Sequence, residues 1–170
     1  MKAADFLNTE CNPTTYAIIG YQLDKTLSDN GTVSRGVCKT DEQGRLVEIN
    51  ERTKIFREED KVVYEDDNGK HEVAANSPVS MNFWCLHPSV FDLAGKMFSE
   101  FPKNNMDNIK AEFFIPLLGD EFVNVEGGTI KVIPTAAQWF GVTYKEDAPI
   151  VKNSLHALID DGAYPTELWG

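Results

Sequence analysis

The chain has 170 residues, of which 42% are hydrophobic and 25% charged, so it can form one globular core over residues 1–170. Its formal net charge of −11 repels phosphate backbones and argues against a nucleic-acid partner, although one cation in a pocket still permits a small phosphorylated ligand. No apolar run reaches the ~20 residues that span a bilayer, the N-terminus carries no apolar signal region, and the three cysteines are scattered without a metal-binding spacing. We therefore expect a cytoplasmic protein without a membrane partner, a disulfide framework or a zinc site.

The first half of the chain predicts a short helix and then mainly strands. Residues 1–8 are typical of the end of a helix, and residues 14–21 predict a buried central strand because apolar side chains occupy both faces. Turn signals with Asp, Asn and Gly separate the next β-type segments. Two hairpins are predicted, a first over residues 32–39 with 45–50 and a second, charged one over 62–65 with 71–74.

The second half alternates strands and helices. Residues 79–86 predict a strand, and Pro88 is expected to open a helix whose apolar face runs to Phe101. After a break at 102–108, further elements are predicted as a helix over 110–122, a strand over 129–133 and a short strand over 138–142. Asp147 is expected to cap a last helix that buries Val151, Leu155, Leu158 and Ile159 and ends at Gly162. This order predicts an α/β fold whose mixed sheet carries inserted β-hairpins.

Few motifs in the sequence carry chemistry. A Gly-rich phosphate loop, a GxSxG nucleophile elbow and an HExxH pair are all absent from the sequence, and the three histidines are scattered. A small α/β hydrolase that uses His87 or His156 stays an alternative, but the sequence places no nucleophile beside either histidine.

Three polar clusters are candidate binding residues. Glu51 and Arg52 follow the predicted strand 46–50, where a carboxylate accepts hydrogen bonds from sugar hydroxyls and a guanidinium binds phosphate. Ser80 and Asn82 share one face of an apolar strand and are expected to line a pocket. Lys145 lies near a helix start, within reach of a bound phosphate. Each cluster also has a purely structural interpretation. Glu51 and Arg52 would form a solvated surface pair, Ser80 and Asn82 would be hydrogen-bonded to neighbouring backbone, and Lys145 would belong to a capped surface helix.

Seven segments occur in an order and spacing that resemble the second half of bacterial sugar-1-phosphate nucleotidyltransferases, the superfamily of glucose-1-phosphate thymidylyl- and uridylyltransferases. They are Tyr16-Ala-Ile-Ile-Gly-Tyr, Gly31-Thr-Val-Ser-Arg-Gly-Val, Val47-Glu-Ile-Asn-Glu-Arg, Val79-Ser-Met-Asn-Phe-Trp, Ala111-Glu-Phe-Phe-Ile-Pro, Trp139-Phe-Gly-Val-Thr-Tyr-Lys-Glu-Asp and Gly162-Ala-Tyr-Pro-Thr-Glu-Leu-Trp. The resemblance covers nearly the whole chain.

The resemblance implies a partial Rossmann-like fold and a reaction in which a sugar-1-phosphate attacks a nucleoside triphosphate and releases pyrophosphate, normally with Mg²⁺. Gly36 resembles the glycine that lets the backbone approach the sugar, and Glu51 resembles the carboxylate that binds sugar hydroxyls. Arg52 stands where the family usually has a lysine that meets the phosphate, and Ser80 and Asn82 flank the strand that lines the sugar pocket.

The sequence departs from the family in two ways. The glycine-rich nucleotide loop and its magnesium-binding aspartate have no counterpart, so we expect the N-terminal nucleotide-binding portion to be absent and the chain to be inactive alone. In the family a second metal-binding carboxylate often follows a Trp-x pair, but here Gly141 follows Trp139-Phe140. Asp147 is either a substitute for that carboxylate or a helix cap. No metal ligand is therefore assigned.

A non-catalytic sugar-phosphate-binding or interaction module is the alternative function. A truncated sheet with an apolar edge would favour a homo-oligomer.

Overall fold

The computed structural model describes residues 2–108 and 110–167, so Met1 of the predicted first helix and Leu168 and Trp169 of the last quoted segment lie outside the described residues. The described part confirms the mixed α/β class, with four helices and seven strands. The helices are α1 (Lys2–Thr9), α2 (Val90–Asn104), α3 (Ile115–Asn124) and α4 (Asp147–Asp160). The strands are β1 (Thr15–Gln22), β2 (Val33–Thr40), β3 (Leu46–Glu58), β4 (Lys61–Asp66), β5 (Gly69–Val73), β6 (Pro78–Cys85) and β7 (Thr129–Thr135). No helix in the described part of the chain is long and apolar enough to cross a membrane.

All seven strands form one mixed sheet in the order β5-β4-β3-β2-β6-β1-β7. β1 and β7 run parallel, and the other neighbouring strands pair antiparallel. Both predicted hairpins form, as β2–β3 and β4–β5. β1 has a hydrogen-bonded neighbour on each side and five consecutive buried residues, as its two apolar faces predicted.

The sheet curls so that the tip of the β2–β3 hairpin reaches β7. The amide of Val132 donates to the carbonyl of Gly44 over 2.9 Å, and Arg45 forms a bridge with Lys131. At the opposite edge, the β4–β5 hairpin carries ion pairs, including Lys61–Glu72 at 2.6 Å. Charged side chains discourage pairing with another sheet, so the β5 edge is not the apolar edge that was expected.

Apolar side chains cover both faces of the sheet. On one face α2 and α3 pack over the strands, and the rings of Tyr16 and Phe122 stack with centroids 3.9 Å apart. On the other face α1 buries Phe6 against Ala17 and Ile19, next to a second cluster built around Leu23, Val33, Ile55, Val62 and Val79. A 3-10 turn, Leu23–Thr26, closes this second face. The candidate site described below lies on the α2–α3 face.

Four element predictions need correction. β3 does not end near residue 50 but continues to Glu58, because its polar second half pairs with β4. α2 begins at Val90, two residues after Pro88, and keeps Pro102 in its last turn. α3 begins at Ile115 rather than at 110, with Pro116 in its first turn, where a proline loses no hydrogen bond. Residues 138–142 form no strand.

The last helix forms where it was predicted, but its apolar face is only partly buried. Val151, Leu158 and Ile159 are half-buried, while Leu155 is 44% exposed. The helical spacing of apolar residues therefore predicted the element correctly and its burial in part.

Candidate functional site

A pocket of about 180 Å³ opens where β2, β3 and β6 lie side by side on the α2–α3 face. Four of the six residues predicted from the sequence line this pocket: Gly36, Glu51, Ser80 and Asn82. The remaining lining residues are Ser34, Arg35, Ile49, Met81 and Pro116. The pocket is smaller than the ~300–1,000 Å³ typical of drug-sized ligands, so it suits one small ring.

Strand register brings the central three residues together. Gly36 pairs with Glu51 on β3 and with Ser80 on β6, so the three residues form one row across neighbouring strands. A Cβ atom added to Gly36 would lie 2.8 Å from Cγ2 of Ile49 and 3.4 Å from Oε2 of Glu51. The missing side chain therefore keeps the floor of the pocket open beside the Glu51 carboxylate.

A bulge in β6 places Asn82 at the pocket. Ile18 pairs with Trp84 and Gly20 pairs with Ser80, so three residues of β6 stand opposite one residue of β1. Asn82 has a φ of +55°, in the left-handed region that asparagine tolerates better than most residues, and its amide N–H donates to Oγ of Ser80 over 3.2 Å. Bulges of this kind redirect side chains near binding sites.

The pocket carries one carboxylate and one nearby cation. Partial burial raises the pKa of Glu51, and the positive charge of Arg35 lowers it by a smaller amount. Burial in turn lowers the pKa of Arg35, against the raising effect of Glu51. The two side chains therefore support each other's charged forms in a partly desolvated site.

Hydrogen bonds hold the Arg35 guanidinium in place. Its Nε donates to Oγ1 of Thr26 over 3.1 Å, its Nη1 donates to the carbonyl of Ser34 over 2.7 Å, and its Nη2 donates to the carbonyl of Thr26. The guanidinium also lies 5.0 Å from the ring centroid of Trp139. These contacts hold the guanidinium beside Thr26 on the face of β2 opposite Glu51, because successive residues of a strand alternate between faces. Arg35 therefore acts on Glu51 through its charge and does not offer a donor to a ligand in the pocket.

Arg52 and Lys145 do not line the pocket. Arg52 pairs with Arg35 and lies on the opposite face of β3 from Glu51, because successive residues of a strand alternate between faces. Its guanidinium lies 4.6 Å above the ring centroid of Tyr64. Lys145 is exposed in the turn before α4. The structure therefore separates the two predicted phosphate-binding cations from the other four site residues.

Asp147 accepts hydrogen bonds at both carboxylate oxygens, so it does not fit the role of a metal ligand. Oδ1 accepts from Ser28 over 3.0 Å and from Asn30 over 2.6 Å, while Oδ2 accepts from the backbone amides of Thr143 and Tyr144 over 3.0 and 2.8 Å. The amide of Tyr144, followed by these other donors, lowers the pKa of Asp147. Two donors come from the loop before α4 and two from the loop before β2, so Asp147 joins these loops. The prediction that Asp147 caps α4 is wrong, because its side chain accepts no hydrogen bond from that helix. Within residues 2–108 and 110–167, no group of three or more His, Cys, Asp or Glu side chains forms a metal site.

One histidine does have a serine beside it. Nδ1 of His87 lies 3.0 Å from Oγ of Ser89 and accepts the backbone amide of Ser89 over 3.2 Å, and the same Oγ lies 2.9 Å from the hydroxyl of Tyr16. These contacts provide a partner for the buried tyrosine hydroxyl and shape the turn before α2. Among the described residues no carboxylate accepts a hydrogen bond from the His87 ring, so the arrangement does not favour the hydrolase alternative.

Several lining residues were missed by sequence reasoning. Ser34 lies two residues before Gly36 on β2, so strand alternation alone was sufficient to place it on the same face. No sequence pattern indicated Arg35 or Pro116 as lining residues. Pro116 belongs to α3 and reaches the pocket only because α3 packs on the sheet. Comparison with known proteins adds no assignment, because no model of a known protein family matches the chain and no curated protein matches it.

Proposed function

We propose that the pocket binds the sugar ring of a sugar-1-phosphate, and that the chain is the sugar-phosphate-binding portion of a sugar-1-phosphate nucleotidyltransferase with a Rossmann-like fold. The observation that carries the proposal is the row formed by Gly36, Glu51 and Ser80 across three strands. The resemblance implies a role in sugar binding for each of these residues, and they come from segments far apart in the sequence. Their convergence on one pocket supports a shared role in binding.

The chemistry of the pocket suits a polyol. The Glu51 carboxylate accepts hydrogen bonds from hydroxyl groups, while the Ser80 hydroxyl and the Asn82 amide both donate and accept. The open backbone at Gly36 lets a ring approach the sheet closely. Burying these polar groups under a ligand without partners would be unfavourable, so the pocket discriminates against apolar rings.

In the proposed reaction an oxygen of the bound sugar-1-phosphate attacks the α-phosphorus of a nucleoside triphosphate, and pyrophosphate leaves. Magnesium, when bound with the nucleotide, neutralises phosphate charge. The residues of the pocket contribute orientation, because they hold the hydroxyls of the sugar. We assign Arg52 and Lys145 no contact with the sugar, because neither lines the pocket.

Isothermal titration calorimetry with glucose-1-phosphate tests the proposal, with UTP or dTTP plus Mg²⁺ titrated separately. We expect the wild-type chain to bind the sugar phosphate and Glu51→Gln to weaken its affinity by at least about tenfold, since a hydrogen bond to a charged group contributes about 1.5–3 kcal/mol. Glu42→Gln, in the exposed β2–β3 turn, is the matched control and should leave the affinity unchanged. Equal affinities for the two variants, or binding of nucleotide in place of sugar phosphate, would contradict the proposal.

A further inference from the structure

A groove of about 650 Å³ lies between α2 and α3 and shares no lining residue with the sugar pocket. Its floor is apolar and consists of Leu93, Met97, Phe101, Phe113 and Leu117. Its walls carry the carboxylates of Glu100, Asp120, Glu121 and Glu126, against the single ammonium of Lys96. The groove therefore combines an apolar floor with an acidic rim.

The shape of the groove follows from helix periodicity. Leu93, Met97 and Phe101 lie four residues apart on α2, so they form one stripe along the helix axis. The ring of Phe113 packs against that of Phe101 with centroids 5.3 Å apart and closes one end of the floor. α2 has 15 residues and is about 22 Å long, so a partner helix of similar length can lie along it.

Part of the floor remains open to solvent in the folded chain. Leu117 is 38% exposed, and Val125, at the far end of the groove, is 67% exposed. Exposed apolar side chains within a polar rim mark binding surfaces. Two helices that face a shared open groove leave room for a third helix, which is a recurring mode of peptide recognition.

The charges in the rim select the occupant. Four carboxylates surround the floor, and the pKa of Asp120 is raised by burial first and by the negative charge of Glu48 second. A second copy of this chain would bring a formal charge of −11 toward that rim, whereas a basic partner would relieve the repulsion. We propose that the α2–α3 groove binds an amphipathic α-helix of a partner protein, with an apolar stripe flanked by lysine or arginine.

Fluorescence anisotropy with three designed peptides tests this inference on the full chain. The first peptide has about 15 residues, matched to α2, with leucine at i, i+3, i+4 and i+7 and lysine on both flanks. The second keeps the leucines and replaces lysine by glutamate, and the third has the composition of the first in an order without an apolar face. We expect the first peptide to bind at least about tenfold more tightly than either control, and more weakly as salt screens the rim. Failure of the first peptide to bind, or equal binding of the third, would overturn the inference.

Charge-reversed variants locate the binding. Glu100→Lys combined with Glu126→Lys changes the groove rim, and Glu59→Lys combined with Asp67→Lys makes the same change of net charge on exposed turns of the β3–β5 region. We expect the groove variant to weaken peptide binding at least about tenfold and the control variant less than about twofold. Equal losses would mean nonspecific attraction to an acidic protein. Leu117→Arg should also abolish binding, with circular dichroism melts confirming that it folds.

Sedimentation velocity tests whether a second copy of this chain fills the groove instead. A dimer of the wild-type chain that dissociates in both the Leu117→Arg and the Glu100→Lys/Glu126→Lys variants would show that a second copy fills the groove, and would refute the assignment of a basic partner. A monomer in all variants agrees with the inference.

Discussion

Replacement of Gly36 by alanine tests whether an open strand backbone forms the floor of the pocket. The new Cβ would lie 2.8 Å from Cγ2 of Ile49, about 1 Å closer than the ~3.5–4.0 Å optimum for two carbon atoms. Ile49 is β-branched and packs against the core cluster of α2 and α3, so its methyl group has little freedom to move away. Overpacking of this kind costs about 1–3 kcal/mol, partly offset by about 0.4–1 kcal/mol because alanine reduces the entropy of the unfolded chain.

The net expectation for Gly36→Ala is a loss of about 1–2 kcal/mol in the free energy of unfolding, which lowers the Tm by roughly 2–8 °C for a chain of this size. Gly95→Ala is the matched control, since Gly95 lies within α2 and its added Cβ would contact nothing beyond its own stretch of helix within 4 Å. That variant should gain about 0.5–1 kcal/mol because alanine favours helices. Thermal and urea unfolding measure both values.

The same two variants separate binding from stability. The Cβ added at Gly36 lies 3.4 Å from Oε2 of Glu51, where a sugar hydroxyl would approach the carboxylate. We expect Gly36→Ala to reduce the affinity for glucose-1-phosphate, measured by calorimetry, at least about tenfold, and Gly95→Ala to leave it unchanged. A Gly36→Ala protein with wild-type stability and wild-type affinity would refute the reasoning about the pocket floor.

Three further predictions concern neighbouring residues. Asn82→Gly should keep the wild-type free energy of unfolding, whereas Asn82→Ala should lose about 1 kcal/mol of it, because only glycine adopts the left-handed conformation at no cost. Urea unfolding measures both values, and equal losses would contradict this by showing that the bulge relaxes. Burial raises the pKa of Glu51, so the folded chain holds that proton more tightly than the unfolded chain, whose value is about 4.3. The wild-type chain therefore loses stability as the pH rises through the folded pKa of Glu51. The Tm of Glu51→Gln should exceed the wild-type Tm at neutral pH and match it below about pH 4. A Tm difference that persists in acid would contradict this. Arg52→Ala should leave the sugar-phosphate affinity within about twofold, since Arg52 stacks on Tyr64 away from the pocket, and a tenfold loss by calorimetry would return Arg52 to the site.

The sequence predicted the elements that have strong periodic patterns. β1 was recognised because apolar residues occupy both of its faces, and both hairpins were recognised from their turns. The extension of β3 was missed because residues 51–58 are mostly charged and pair with β4 at the exposed end of the sheet. Local polarity alone does not distinguish such a strand from a loop, so the pairing partner had to be known.

The same error explains the misplacement of Arg52. A strand that ended near residue 50 would let Glu51 and Arg52 point together at one ligand, but a strand that continues to Glu58 sends them to opposite faces. Register then decided the rest of the site, because Gly36, Glu51 and Ser80 meet only when β2 lies between β3 and β6. The sequence indicated these residues individually, while their contact depends on strand order, and the bulge at Asn82 had no sequence signal.

The most direct test of the proposed sugar site is a titration of isotope-labelled protein with glucose-1-phosphate, followed by ¹H–¹⁵N correlation NMR. The proposal predicts that the largest amide shift changes fall at Gly36, Glu51, Ser80 and Asn82, with Arg45 and His71 as distant reference amides that stay unchanged. Saturable shifts confined to another surface, or no saturable shifts in a folded protein, would contradict the proposal that this pocket binds the sugar of a sugar-1-phosphate.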